Sequence, residues 1–258
     1  MSSVFQYFFY PDLRNLSYLG WDPHLYRVFG TFLEPAVLST VLGLFFIFIS
    51  INRLINRKYL EITLLTVCLI LIALSFSRGV YIGFAISLGI YLWQKKNKYF
   101  SLFFAGFIVL ILLLPKPAGE GVNLLRNSTI ISRVNDYSAG IEVWKKDPIF
   151  GVGYNRISYA KSGNNQSSIN HAKASFHSSF LILLAGSGII GLVLFLFVLK
   201  GLAQINIFSF YSVIFLSSAS LVDNLLLHPF ILFVLFTMIA YAKGESRLAP
   251  TTIHPSDK

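Results

Sequence analysis

A chain of 258 residues with 55% hydrophobic and only 12% charged residues holds far more apolar sequence than a soluble core requires, which excludes an ordinary water-soluble globular protein. The net charge of +10 raises nucleic acid as a partner, but the basic residues sit in short clusters between apolar runs instead of on one face, so none is expected. The single cysteine, Cys68, lies inside an apolar run and excludes an intrachain disulfide.

Residues 1–35 mix polar and aromatic side chains and are broken by Pro11, Pro23 and Pro35. They are too interrupted to span a bilayer, lack the basic start and cleavage site of a signal peptide, and are expected to form an extracytoplasmic N-terminal loop. Residues 36–114 then hold four apolar runs, at 36–51, 62–76, 80–93 and 99–114. A long polar stretch covers 115–177, and residues 178–243 hold three more runs, at 180–199, 205–222 and 230–241, before a tail at 244–258. The sequence therefore predicts an all-α polytopic membrane protein with about seven transmembrane helices and one large, partly helical extracytoplasmic loop. Several runs are shorter than the roughly 20 residues that cross a bilayer upright, so their polar ends count toward the span.

Orientation follows from where lysine and arginine collect, because short basic loops stay on the cytoplasmic side. Arg53, Arg57 and Lys58 follow the first run, Lys95, Lys96 and Lys98 the third, Lys200 the fifth, and Lys243 and Arg247 the seventh. Arg78, the long loop and the Asp223 to His228 turn are thereby placed outside and the carboxyl tail inside. An odd number of spans with its start outside implies further helices upstream.

Within the long loop, Val134, Tyr137, Ile141 and Trp144 recur at helical spacing and predict a helix laid on the membrane portion along that stripe. Ser132 suits its N-cap and Lys145 and Lys146 its carboxyl end. Asp147-Pro148 is expected to end it and Gly151-Val152-Gly153 to turn the chain.

Gly186-Ser187-Gly188-Ile189-Ile190-Gly191 spells a dinucleotide-binding fingerprint, yet it lies inside an apolar run with no preceding strand. Its small residues are expected instead to admit a neighbouring helix closely. Arg78, between two apolar runs, must either snorkel outward or meet an anion. His177 is expected in the first turn of the fifth run, where the helix dipole favours a neutral imidazole able to accept a proton; a plain interfacial histidine is the alternative. His171 offers the same chemistry without the helix start. Arg133 heads the amphipathic segment and by itself reads as a solvated charge, the usual fate of a loop arginine, while Asp223, Asn224 and His228, at the outer mouth of the last two helices, read as groups facing water, with the lining of a cavity as the alternative. No cysteine or histidine spacing suggests a metal site, and no Ser, His and Asp set can be ordered.

Taken in order, these residues resemble the O-antigen ligase and O-antigen polymerase superfamily of bacterial membrane glycosyltransferases. The resemblance rests on Arg27-Val28-Phe29-Gly30-Thr31-Phe32-Leu33-Glu34-Pro35, on Ser77-Arg78-Gly79, on Arg133, Trp144 and Asp147-Pro148-Ile149-Phe150-Gly151-Val152-Gly153, and on His177-Ser178-Ser179-Phe180-Leu181 with Gly188-Ile189-Ile190-Gly191. It runs from Arg27 to Tyr241.

The resemblance implies transfer of a glycan from a polyprenyl diphosphate-linked donor to a glycan or lipid-core acceptor, outside the bacterial cytoplasmic membrane and without metal or cofactor. It also implies Arg78, Arg133 and Arg27 as ligands of the donor diphosphate and His177 as the catalytic base. Those roles suit the residue types: guanidinium binds phosphate oxygens in pairs and stays charged, and a neutral imidazole removes a hydroxyl proton. Members of that family carry more helices than this chain, which fits an amino-terminally shortened form and keeps an inactive, partner-binding remnant as one reading. A lipid or polysaccharide transporter is the other; it would call for charges or broken helices at mid-membrane or an internal repeat, none of which is expected from these runs.

Overall fold

The computed structural model describes residues 2–19, 24–52, 57–96, 100–114, 122–124, 127–162 and 175–248. Among them every regular element is helical. Helix α1 is Ser2–Phe9, α2 Pro35–Asn52, α3 Lys58–Leu74, α4 Arg78–Gln94 and α5 Phe100–Leu113. Helices α6 (Asn127–Lys146) and α7 (Ile157–Ser162) lie in the long polar stretch, and α8 (Ser179–Ala203), α9 (Ile207–Ser220) and α10 (Pro229–Leu248) follow. Each of the seven apolar runs is thus a helix. Two of them, α2 and α8, are long and apolar enough to cross a membrane. The basic residues Arg53 and Lys98, His171 and the end of the tail from 249 lie outside the described residues.

The core is a stack of aliphatic and aromatic side chains between α2, α4 and α9. Phe84 of α4 and Phe215 of α9 are fully buried, with rings edge to face 6.1 Å apart, and Phe46 of α2 meets Phe84 at 5.2 Å. Such pairs add to area burial because the ring edge carries positive and the face negative potential. Between α4 and α9 the buried Ser87 hydroxyl donates to the Tyr211 carbonyl at 2.7 Å, satisfying a polar group that burial would otherwise penalise. Cys68 is buried in this core.

Hydrogen bonds separate the two ends of the bundle. At one end Tyr211 donates to Gln94, Tyr91 to the Ser50 carbonyl, and Asn206 to the Ile239 carbonyl. At the other end the segment before α2 folds back onto the α3–α4 turn: Val28 N donates to the Leu74 carbonyl at 3.1 Å and Arg27 Nε to the Ser75 carbonyl at 2.7 Å. Gln6 of α1 locks that segment, its Oε1 accepting from Phe29 N and Gly30 N.

The helix in the long polar stretch departs from the sequence expectation in two ways. It begins at Asn127, so Ser132 lies inside it rather than capping it, although it ends as expected at Lys146 before Asp147-Pro148. The face that packs is also a different one. Gly140 and Val143 are buried against α8, where a side chain at Gly140 would strike Leu181, while Val134, Tyr137 and Ile141 of the expected stripe are exposed. The physical reason is that α6 packs with a small and charged face, Arg133, Asp136 and Gly140, whose attraction is electrostatic and steric and invisible to apolar periodicity.

Helix α8 is broken. Gly188 has φ 65° and ψ −168°, a conformation that only glycine adopts readily, and the loop after α6 fills the break. Val152 N and Gly153 N donate to the Ala185 and Gly186 carbonyls, each at 2.9 Å, and Ile189 N and Ile190 N donate to the Pro148 and Ile149 carbonyls at 3.0 and 3.4 Å. The small residues of the glycine motif therefore admit the backbone of a loop, not a neighbouring helix. A Cβ at Gly188 would lie 2.1 Å from the Ile149 carbonyl oxygen. The expectation of unbroken spans is corrected accordingly.

Candidate active site at the α6–α8 end of the bundle

Three segments distant in sequence meet at the end of the bundle that carries the α3–α4 turn. Ser178 caps α8, its hydroxyl oxygen accepting from Leu181 N, so His177 stands one residue before the cap and not in the first helical turn as expected. The two serines that follow the histidine fasten it to the α9–α10 turn. Ser178 Oγ donates to the Ser220 carbonyl at 3.1 Å, and Ser179 Oγ donates to Asn224 Oδ1 at 2.9 Å while accepting from Leu226 N at 3.2 Å. Both serines are buried, so every one of these bonds shields a polar group from an unmatched environment.

The His177 imidazole is exposed on one side and is fixed on the other by Asp136 of α6, whose Oδ2 contacts Nδ1. A carboxylate at Nδ1 holds the proton there, which leaves the Nε2 lone pair as the basic face of the ring. The other oxygen of Asp136 accepts from Lys161 Nζ at 2.8 Å, and the same ammonium donates to the Ser175 carbonyl at 3.0 Å and lies 4.8 Å from the centre of the Phe176 ring. Burial pushes the Asp136 carboxyl up, but the hydrogen bonds from Lys161 and His177 outweigh it and hold the group below the ordinary aspartate value. It is an anion throughout the neutral range.

One helical turn before Asp136, Arg133 Nη2 meets Asp223 Oδ1 at 2.6 Å, and Arg133 Nε is buried with no hydrogen-bond partner among the described residues. Asp223 hangs over the start of α4: a side chain at Gly79 would put its Cβ 2.6 Å from Asp223 Oδ2. Burial raises the Asp223 carboxyl above its ordinary value, with the Arg133 guanidinium pulling against it. Arg78, the first residue of α4, donates from Nη1 to the Leu124 carbonyl at 3.0 Å and lies within electrostatic reach of both Arg133 and Asp223.

The structure thus brings Arg78, Arg133 and His177 to one end of the bundle, with Asp223 in reach of all three. Arg133 is ion-paired and not a solvated surface charge, and Asp223 is engaged and not simply facing water. Arg27 is buried beneath them, fixed to Ser75, and its charge acts on Glu34 and Asp223. His228 packs against Phe230, and its Nδ1 is buried with no partner among the described residues.

Two residues escaped the sequence reading. Asp136 was legible only as the group three positions after Arg133, on the same helical face, and Lys161 carried no signal at all. Among the described residues no cluster of three or more histidine, cysteine or acidic groups is placed to share a cation.

A family model described as O-antigen ligase matches residues 62–196, just over half of the chain, and that span contains Arg78, Arg133, Asp136, Lys161, His177 and the break at Gly188. No curated protein and no solved structure matches the chain. The match, over a helical bundle with two candidate membrane-crossing helices, shows that the chain belongs to the O-antigen ligase family, membrane proteins of glycosyltransferase-like activity in cell-surface polysaccharide synthesis.

Proposed function

We propose that the chain transfers a glycan from a polyprenyl diphosphate to a hydroxyl of an acceptor glycan or lipid core, with seven helices in the cytoplasmic membrane and the α6–α8 end of the bundle on its outer face. The observation that carries this reading is the joining of Asp136 to His177 one helical turn from Arg133. An oriented imidazole beside a guanidinium pair suits a reaction that needs one proton removed and a diphosphate leaving group stabilised as it gains a third negative charge.

His177 Nε2 takes the acceptor hydroxyl proton as that oxygen bonds to the anomeric carbon. The bond from the anomeric carbon to the diphosphate oxygen breaks with its electron pair, and the anomeric centre inverts. Asp136 keeps the proton on Nδ1 and stabilises the imidazolium as it forms. Arg78 and Arg133 receive the departing diphosphate, Arg133 Nε being a donor with no partner among the described residues. Arg27, tied to Ser75, reinforces the positive field from below and is a weaker candidate for direct contact.

The test is transfer by purified protein from a lipid-linked oligosaccharide to an acceptor. His177→Ala should abolish product while leaving the fold intact, and retention of full activity would remove His177 from the reaction. Polymerase and ligase separate in the cell: after deletion, single repeat units at the surface identify a polymerase, whereas complete chains held on the carrier identify a ligase.

The break in α8 is the one observation that favours a transporter, since broken helices line the substrate paths of many such proteins. Here, however, the Pro148–Gly153 backbone occupies the carbonyls of Ala185 and Gly186 and the amides of Ile189 and Ile190. Those groups are committed within the protein and do not face a cargo.

A further inference from the structure

The loop between α6 and α7 reaches α8 at its break, and this fixes how deep that loop lies if α8 crosses the bilayer as proposed above. Gly188 is twelve residues before Lys200, the exposed basic residue near the carboxyl end of α8, so it sits about 18 Å along the helix from that end. The hydrocarbon core is about 30 Å thick. With Lys200 at the cytoplasmic boundary, the break falls about 12 Å below the outer one. The loop is bonded to α8 at that level on both sides of Phe150: the Pro148 and Ile149 carbonyls accept from the Ile189 and Ile190 amides, and Val152 N and Gly153 N donate to the Ala185 and Gly186 carbonyls.

The surface there is apolar and continuous. Ile149 and Phe150 are 54% and 70% exposed, and beside them Ile189, Ile190, Val193 and Leu194 of α8 are exposed as well. Within the turn the acidic group, Asp147, is engaged by the Phe150 N–H at 3.2 Å. Irregular backbone is stable at membrane depth only where protein satisfies its amides and carbonyls, and here the broken helix and the loop satisfy each other.

We propose that Pro148–Tyr154 is a re-entrant segment, with the Ile149 and Phe150 side chains in the acyl chains of the outer leaflet as a continuation of the lipid-facing surface of α8. The occupant of this patch is bilayer lipid. Continuity with the exposed face of a candidate membrane-crossing helix argues for it. The segment then anchors α6, and with it Arg133 and Asp136, at a fixed height relative to a substrate whose tail is itself in that leaflet.

The test uses the full chain in lipid nanodiscs, with Cys68→Ala as background and a nitroxide placed in turn at Phe150→Cys, Ile149→Cys, Leu194→Cys and Glu142→Cys. Collision with oxygen, which concentrates in acyl chains, is compared with collision with a water-soluble nickel chelate. Leu194 is the reference for the lipid face of α8 and Glu142 for an exposed polar position. Oxygen exceeding nickel at Phe150 and Ile149, as at Leu194 and in contrast to Glu142, is the expected result. Nickel dominance at Phe150 and Ile149 with oxygen dominance at Leu194 overturns the re-entrant segment and leaves the membrane reading of α8 standing. Shielding of both loop positions from both reagents, which indicates a second copy or another protein on the patch, overturns it equally. Nickel dominance at Leu194 too means that the membrane reading of α8 has failed first.

Discussion

Arg133 and Asp136 stand one turn apart on α6 and direct their charges to different elements, Arg133 to Asp223 after α9 and Asp136 to His177 before α8. A single helix face thereby sets the distance between a candidate phosphate-binding cation and a candidate base. Neither partner is near in sequence, and both contacts depend on α6 lying with its polar face inward.

The first consequence is that Asp136→Asn removes the anion that orients His177 while keeping side-chain size. Loss of an imidazole partner of this kind costs on the order of 10²- to 10⁴-fold in kcat. The expected outcome is that drop with little change in KM for the lipid-linked donor, read from initial rates, and partial recovery in Asp136→Glu. Unchanged kcat would mean that the contact is structural only.

Asp136 also predicts how stability depends on acid. Its folded carboxyl lies below the ordinary aspartate value of about 3.9, so in the window between the two the unfolded chain binds more protons than the folded one. The stabilisation is complete above about pH 4 and is lost as pH falls through the folded value. Thermal unfolding in detergent should therefore fall off more steeply with acid in the wild type than in Asp136→Asn, and parallel curves would contradict this.

How far the sequence could be read is clear from particular elements. The apolar runs found their helices because a stretch of leucine, isoleucine and phenylalanine needs burial or lipid whatever its neighbours do, and Asp147-Pro148 ended α6 where backbone sterics require. The orientation of α6 was misread because apolar spacing points to the outer face of a helix whose inner face is polar. Asp136 and Lys161 were missed because their partners, His177 and Ser175, are supplied by a segment that returns only in three dimensions. The break at Gly188 was hidden within an apolar run, and only the loop that fills it reveals why three small residues stand together there.

That break gives a prediction about folding rather than catalysis. Gly188→Ala forces an alanine to φ 65° and drives its Cβ to within 2.1 Å of a backbone oxygen that cannot rotate away. The strain and lost hydrogen bonds should cost on the order of 2–4 kcal/mol. Yield of monodisperse protein and melting temperature should both fall. Wild-type behaviour would show that the loop is not docked at the break.

Gly79→Ala separates the site from the fold in the opposite sense. Its Cβ would meet Asp223 Oδ2 at 2.6 Å and Val222 Cγ2 at 3.2 Å, both side-chain atoms of the α9–α10 turn, so the fold can absorb the methyl by moving the carboxylate and letting the valine give by a few tenths of an ångström. Moving it draws Asp223 away from Arg133. The substitution should therefore leave the melting temperature nearly unchanged while lowering transfer activity as Asp223→Asn does. Because both changes act on one ion pair, the double variant Gly79→Ala/Asp223→Asn should be no worse than Asp223→Asn alone, a non-additivity worth about 0.5–3 kcal/mol for residues in contact. Activities that multiply across the cycle would show that Gly79 serves something other than Asp223, such as the packing of α4 itself, and would leave the placement of Arg133 to be explained by α6 alone.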